Sequence, residues 1–368
     1  MKLLQPNLQL VLTFLAVWSF PVQAIGQTTK HIPPPTAALD ETFSVITAMV
    51  ELASGKVVLL DRTERRIVVA DFDTQRITEP IRNGSGPNEV AYATRLVATP
   101  GGGAAVADAE NERLLLLDGA GTPSGFWQTG TDDALIRSTM RLSGHPGQAR
   151  TVVLERTDRS GVSIFRWDPT SANLTPLHRR ASRQTPPVGT AGGPAVGRAS
   201  DRIVSPFPTL PDLWMADTAG WTFVVQLAPY RAIVIAPDGR TVEGPIQTAR
   251  PYRIDDATKR ATTAELAIQR AGQMNASTAF EWPDILPPFH TDRFPALFIA
   301  TDGTLWVRRT TPATEPPRFD VFDRTGNLKG IVRLPHGYRL AALGRRHVYL
   351  VSRDSDGSET VHRAPFSF

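Results

Sequence analysis

From Val45 onward the chain is written in short apolar runs, each closed by a polar turn. Val57-Val58-Leu59-Leu60, Ile67-Val68-Val69-Ala70, Ala104-Ala105-Val106-Ala107 and Leu114-Leu115-Leu116-Leu117 are continuous, not alternating. Runs this short, rich in β-branched residues and bounded by turn residues, read as strands covered on both faces. They come in clusters that suggest groups of four. The first cluster is Val45–Leu52, Lys56–Asp61, Arg66–Asp71 and Arg76–Ile81; the second is Tyr92–Thr99, Gly103–Asp108, Arg113–Asp118 and Ser124–Gln128. A third, less regular, holds Thr151–Arg156 and Val162–Trp167, and a fourth holds Trp221–Leu227 and Arg231–Ala236. The fifth holds Leu297–Ala300, Thr304–Arg309 and Arg318–Asp323, and the sixth Arg339–Leu343, His347–Arg353 and Glu359–Pro365. Asp-Gly pairs at Asp238-Gly239 and Asp302-Gly303 supply the positive φ that hairpin turns need.

The first two clusters repeat without a gap. Ser54–Asp71 overlays Gly101–Asp118, 47 positions later, with the glycine, Asp61/Asp108, Arg66/Arg113 and the final aspartate in register. A period of about 40–50 residues built from short strands is that of a propeller blade. The expected fold is therefore all-β, a six-bladed β-propeller over residues 39–368 with a helical or irregular insertion between blades four and five. The sixth cluster shows three strands, and an uncovered sheet edge invites aggregation. Leu39–Phe43 is expected to add the missing outermost strand and close the ring. Residues 25–38, with Pro33-Pro34-Pro35, read as an extended tether.

Two connections are too long for turns, 179–211 and 249–293. Within the second, Asp255–Met274 suits a helix started by Asp255 or Asp256. Both join the outer strand of one blade to the inner strand of the next. They should emerge on the face that carries the turn between each blade's second and third strands, as a partial lid.

Composition places this fold outside the cytoplasm. Met1–Ala24 has Lys2, an apolar core Leu8–Trp18 and a small-residue site at Val22-Gln23-Ala24, the pattern of a secretory signal. No later segment approaches a membrane span. Cysteine is absent, which removes disulfides, thiolate metal sites and a cysteine nucleophile. The net charge of +4 arises from 35 arginines and 5 lysines interspersed with 36 acids, so no basic stripe suggests nucleic acid.

Asp108-x-x-Asn111-x-Arg113, followed by an apolar strand and Asp118, resembles the NHL-type repeat. Asn83-Gly84-Ser85-Gly86-Pro87-Asn88-Glu89-Val90 resembles the GxGPGEF loop of bacterial exported TolB-like propellers, with Asn88 for the third glycine and Val90 for phenylalanine. Ala228-Pro229-Tyr230-Arg231, Glu281-Trp282-Pro283, Leu305–Arg309 and Asp320–Asp323 are similar to the same group. The resemblance covers roughly residues 43–366 and implies fold and export, with no agreed activity.

Candidate chemistry is sparse. Asp61/Arg66 and Asp108/Arg113 lie across hairpins and read as partly exposed pairs that stabilise each blade, because repetition argues for scaffold. Seven histidines show no HExxH spacing, and neither a GxSxG elbow nor a phosphate loop occurs. Asp354–Glu359 looks calcium-like but lacks the EF-hand spacing and falls at a hairpin turn. No cofactor is implied. The candidate ligand-binding residues are Asn83 and Glu89 in the glycine-rich loop, with Glu281, Trp282, Asp284 and His290 in the proline-stiffened insertion. The insertion segment also has a structural reading, as a clasp fastening it to the ring. The expected function is non-catalytic binding or scaffolding on the lid face, toward a protein, peptide or glycan. The alternative is a calcium-dependent hydrolase or lactonase of the gluconolactonase type, for which the inner strands look poor in ligands: Val45–Leu52 offers Glu51, while Tyr92–Thr99 and Leu297–Ala300 offer none.

Overall fold

In the computed structural model, residues 28–128, 140–143, 151–158, 161–168, 173–181, 212–248, 252–269, 280–286, 288–289 and 295–367 are described. The signal-like segment, His290 and nearly all of the 179–211 connection lie outside these residues. The described strands form five four-stranded sheets, one five-stranded sheet and two short two-stranded ribbons.

The first sheet runs outward from Ile46–Glu51 through Val57–Asp61 and Arg66–Asp71 to Arg76–Thr78. The second runs from Ala93–Ala98 through Ala104–Asp108 and Arg113–Leu117 to Pro123–Gln128. The third is Met140–Ser143, Thr151–Asp158, Gly161–Asp168 and Asn173–Ala181, and the fourth is Leu213–Ala216, Thr222–Leu227, Tyr230–Ile235 and Thr241–Glu243. The fifth holds Leu297–Ile299, Leu305–Arg309, Arg318–Phe322 and Leu328–Arg333, and the sixth holds Tyr338–Leu343, His347–Arg353 and Glu359–Pro365. The first strand of each sheet contacts the first strand of the next, and Tyr338–Leu343 returns to Ile46–Glu51. That cyclic order is a β-propeller arrangement.

Packing explains the continuous apolar runs. Val58 and Leu60 face a cluster shared with Val106 and Leu115 of the second sheet, while Val57 and Leu59 face Tyr349 and Val361 of the sixth. Each consecutive pair of sheets shares one apolar cluster, and the sixth shares one with the first. A strand between two such clusters buries both faces, so alternation gives way to unbroken apolarity.

The ring closes as the sequence implies. Ala37–Phe43 pairs antiparallel with Glu359–Pro365 as the outermost strand of the sixth sheet. Leu39 and Phe43 are each 2% exposed, so each contributes about 1.5–3 kcal/mol of apolar burial to that closure. The segment upstream is more than a tether. Thr28–His31 pairs in parallel with Leu328–Arg333 and makes the fifth sheet five-stranded. Gly330 permits this, because a Cβ there would collide with the Thr28 carbonyl. Between the fourth and fifth sheets, helix α1 spans Asp256–Gln269, and the Asp255 carboxylate accepts from Thr258 N at 2.7 Å, an N-cap.

The repeated aspartates depart from their expected role. Arg66 is opposite Asp61 in register, yet its guanidinium pairs with Glu41, Glu64 and Glu79. Asp61 instead accepts from the backbone N–H groups of Ser44, Val45, Thr63 and Glu64. It staples the entry of the inner strand to the turn behind it. Asp108 does the same for Ala91, Tyr92 and Asn111. The Asp108–Arg113 pair does form, at 3.5 Å, but it is buried, with side chains 0% and 6% exposed.

Candidate functional site

The glycine-rich loop joins the first and second sheets and is held by the second. Arg82–Asn83 pairs in parallel with Glu89–Val90, and Gly84 N donates to the Val90 carbonyl at 3.2 Å. Arg113 donates to the carbonyls of Gly86 and Glu89 at 2.6 and 2.7 Å, and Asn111 to that of Gly84 at 3.1 Å. The Glu89 carboxylate turns inward to accept from Gly86 N at 2.8 Å. A side chain at Gly84, where φ is +152°, would run into that carboxylate. Glu89 therefore shapes the loop, while Asn83 is exposed at its rim.

Glu281, Trp282 and Asp284 sit in a different connection, between the fourth and fifth sheets. Glu281 and Asp284 are exposed, and Trp282 is half-buried with its ring 5.7 Å from that of Phe280. Ile254 N donates to the Asp284 carbonyl, beside a ribbon in which Tyr252–Arg253 pairs with Ile285–Leu286. Farther along, Phe289 is buried against Tyr230, and Arg309 covers both rings at 4.6 and 4.9 Å. The Pro288 carbonyl accepts from Thr310 N and Arg309 Nε. Asp320, 1% exposed, accepts from Arg309, Arg318 and the Tyr230 hydroxyl, and burial followed by the Asp320 charge raises the tyrosine pKa. This end of the insertion is a clasp on the fifth sheet. His290 lies outside the described residues.

The structure thus leaves the two candidate groups on separate connections and brings another set of side chains together. Arg95 lies on Ala93–Ala98, Trp214 on Leu213–Ala216, Glu155 on Thr151–Asp158, and Arg62 follows the Asp61 staple. Trp214 Nε1 donates to Glu155 Oε2 at 2.5 Å, which fixes the carboxylate. Partial desolvation, then the like charge of Arg62, lower the Arg95 pKa, and Glu155 opposes them. Neither guanidinium has a hydrogen bond or ion pair among the described residues. Arg95 thus has two charged neighbours, the cation Arg62 and a carboxylate that already accepts from an indole.

One signal for this cluster was present in the sequence. Under the 47-residue repeat Thr94 overlays Thr47, and each hydroxyl donates across its strand, to Ala107 and Leu60 respectively. Arg95 then overlays Ala48, a charged residue where the repeat has alanine.

No three His, Asp or Glu side chains converge as a metal site among the described residues. Asp354 spends one carboxylate oxygen on the N–H groups of Asp356 and Ser358 within a hairpin turn. No described helix is long and apolar enough to cross a membrane.

No family model and no curated protein matches the sequence. The NHL-type and TolB-like resemblance accordingly gains no support from family comparison, and the propeller arrangement rests on the sheets themselves. Among solved structures, the calcium-binding protein regucalcin from Agrobacterium tumefaciens is 12% identical over 93% of this chain and 97% of that one, with a TM-score of 0.41. A virginiamycin B lyase from Staphylococcus aureus is 10% identical over 88% and 81%, with a TM-score of 0.38. A protein named as exported from Bacteroides fragilis is 9% identical over 92% and 99%, with a TM-score of 0.47. These neighbours include enzymes as well as proteins without an assigned activity, and the likeness is one of general architecture.

Proposed function

We propose that this chain is an exported, non-catalytic recognition propeller that binds an acidic peptide or glycan on its insertion-bearing face. The five-stranded sheet counts as a blade, which gives six. The observation that carries the reading is the pair Arg62 and Arg95, close enough to depress the Arg95 pKa and without a pairing carboxylate among the described residues. Two neighbouring cations, which this reading places at the mouth of the ring, favour a ligand that brings its own anion. Asn83 on one side and Glu281, Trp282 and Asp284 on the other are proposed as the rim, with Trp282 as the aromatic anchor. The signal-like Met1–Ala24 supports export. The calcium-dependent hydrolase reading is the alternative, and it would need a donor set that is not found among the described residues.

The test is binding of an acidic oligosaccharide and an acidic peptide, each beside its neutral counterpart, measured by calorimetry at two salt concentrations. The acidic ligand should bind with marked salt dependence, and Arg62→Gln/Arg95→Gln should weaken it about tenfold or more with an unchanged melting temperature. Equal affinity for the acidic and neutral forms, or an unaffected double variant, would overturn the assignment.

A further inference from the structure

The N-terminal strand creates a feature that belongs to neither candidate connection. Where Thr28–His31 docks on the fifth sheet, a cavity of about 190 Å³ opens between it, the sheet and the end of the sixth sheet. Its apolar side is Val321, Ile331 and Phe366, backed by the buried Trp306 and Val332, and its polar rim is Lys30, Lys329, Asp302 and Thr304.

Strand register accounts for the space. Trp306, Val321, Gly330 and Thr28 stand opposite one another in a single row across four strands. The glycine in that row leaves the space beside Val321 unfilled, while Trp306 at the far end of the row is fully buried under Phe319 and Phe366. Lys329 is the extra residue of a β-bulge: Val321 pairs with Gly330 and Phe322 with Leu328, so Lys329 has no partner across the ladder. Lys30, in the next row, holds its ammonium 5.9 Å from the Phe366 ring.

The charges are unbalanced. The chain has five lysines, and two of them line this cavity without an ion pair among the described residues. Its one carboxylate, Asp302, spends Oδ1 on the backbone and hydroxyl of Thr304. The rim thus carries one net positive charge above an aromatic and aliphatic wall. A pocket of about 150 Å³ lined by apolar side chains holds a benzene ring, so this one has room for a ring with a short acidic arm.

We propose that this cavity is a binding site for a small aryl carboxylic acid, of the size of benzoate to phenylacetate. The ring lies against Val321 and Phe366 in the space left by Gly330, and the carboxylate meets Lys30 and Lys329. This site is independent of the arginine pair at the ring mouth.

The probes are phenylacetate, its neutral isostere phenylacetamide, and acetate, titrated into the purified protein and read by calorimetry. For a ligand of roughly ten heavy atoms a Kd of about 1 mM or tighter is expected. Phenylacetamide should bind about tenfold more weakly for want of the charge-assisted contacts, and acetate weaker still for want of the ring. Lys30→Gln/Lys329→Gln should erase the preference for acid over amide while the melting temperature holds. Val321→Phe, which fills the cavity, should abolish binding of both aryl compounds. Acid and amide binding equally, no saturable binding of phenylacetate, or full affinity in the Val321→Phe or double-lysine variant would each overturn the proposal. Arg62→Gln/Arg95→Gln should leave phenylacetate binding unchanged, so failure of the ring-mouth reading is distinguishable.

Discussion

Glu359 is where ring closure can be measured with one substitution. Its carboxylate is 1% exposed and ties three parts of the closing seam together. Oε2 accepts from Ile46 N at 2.7 Å, the start of the first sheet, and from Arg339 at 2.6 Å on the inner strand of the sixth. Oε1 accepts from Arg353 at 2.5 Å. Glu359→Ala leaves the Ile46 N–H without its acceptor and takes the buried carboxylate away from two guanidiniums whose side chains are only 18% and 20% exposed. Breaking a buried pair costs about 3–5 kcal/mol, and the residual solvent access of both arginines argues for the lower end, about 3 kcal/mol. Glu359→Gln keeps an acceptor for Ile46 but weakens two charge-assisted bonds, and should cost about half as much. Asp73→Ala is the control: Asp73 pairs with Arg363 but is 78% exposed, so its loss should stay within about 0.5 kcal/mol. Urea unfolding followed by tryptophan fluorescence gives all three numbers. A Glu359→Ala loss below about 1 kcal/mol, or equal to that of Asp73→Ala, would refute the claim that this carboxylate fastens the seam.

Removing residues through Phe43 should prevent cooperative folding, because it strips an outermost strand with two buried apolar residues; a cooperative transition at the parent midpoint would count against closure by Ala37–Phe43. Asp108→Ala should cost about 3 kcal/mol, since it orphans backbone donors and removes the carboxylate beside the buried Arg113, whereas Arg66→Ala, removing a more exposed cation, should cost under about 1 kcal/mol; similar losses would show that the two repeats are held alike. Desolvation lowers the pKa of His347 and His362, so the unfolded chain binds more protons than the folded one around the ordinary histidine pKa of 6.5. Stability contributed by the neutral rings is therefore present above that value and declines as pH falls through it, and His362→Gln should flatten the urea midpoint between about pH 7.5 and 5.5. His362 meets Ser352 Oγ at 2.8 Å and the Tyr338 ring at 5.1 Å, so an unchanged slope would place the titration elsewhere.

Local chemistry wrote much of this molecule into its sequence. The apolar runs, the hairpin turns, the 47-residue repeat and the Asp255 cap all depend on neighbours a few residues away, so periodicity and turn residues reveal them. The sixth sheet's missing strand was legible for another reason: an unpaired edge needs a partner, and Leu39–Phe43, just upstream of the first cluster, could supply it. Nothing local marks Thr28–His31 as a strand, because its partner lies some 300 residues away and its fit depends on one glycine, Gly330. Spacing put Arg66 opposite Asp61 correctly, but the register of a hairpin does not decide where a long guanidinium turns, and Glu41 and Glu79 claimed it. The sequence offers Glu89 as a ligand-binding group, and only the fold of its own loop shows that one carboxylate oxygen accepts from Gly86 N. The cluster of Arg62, Arg95, Glu155 and Trp214 draws on the first four sheets, and no sequence separation encodes that meeting. Strands and turns are determined by adjacency along the chain; which charges are left uncompensated is determined only when the ring closes and distant side chains compete for the same partners.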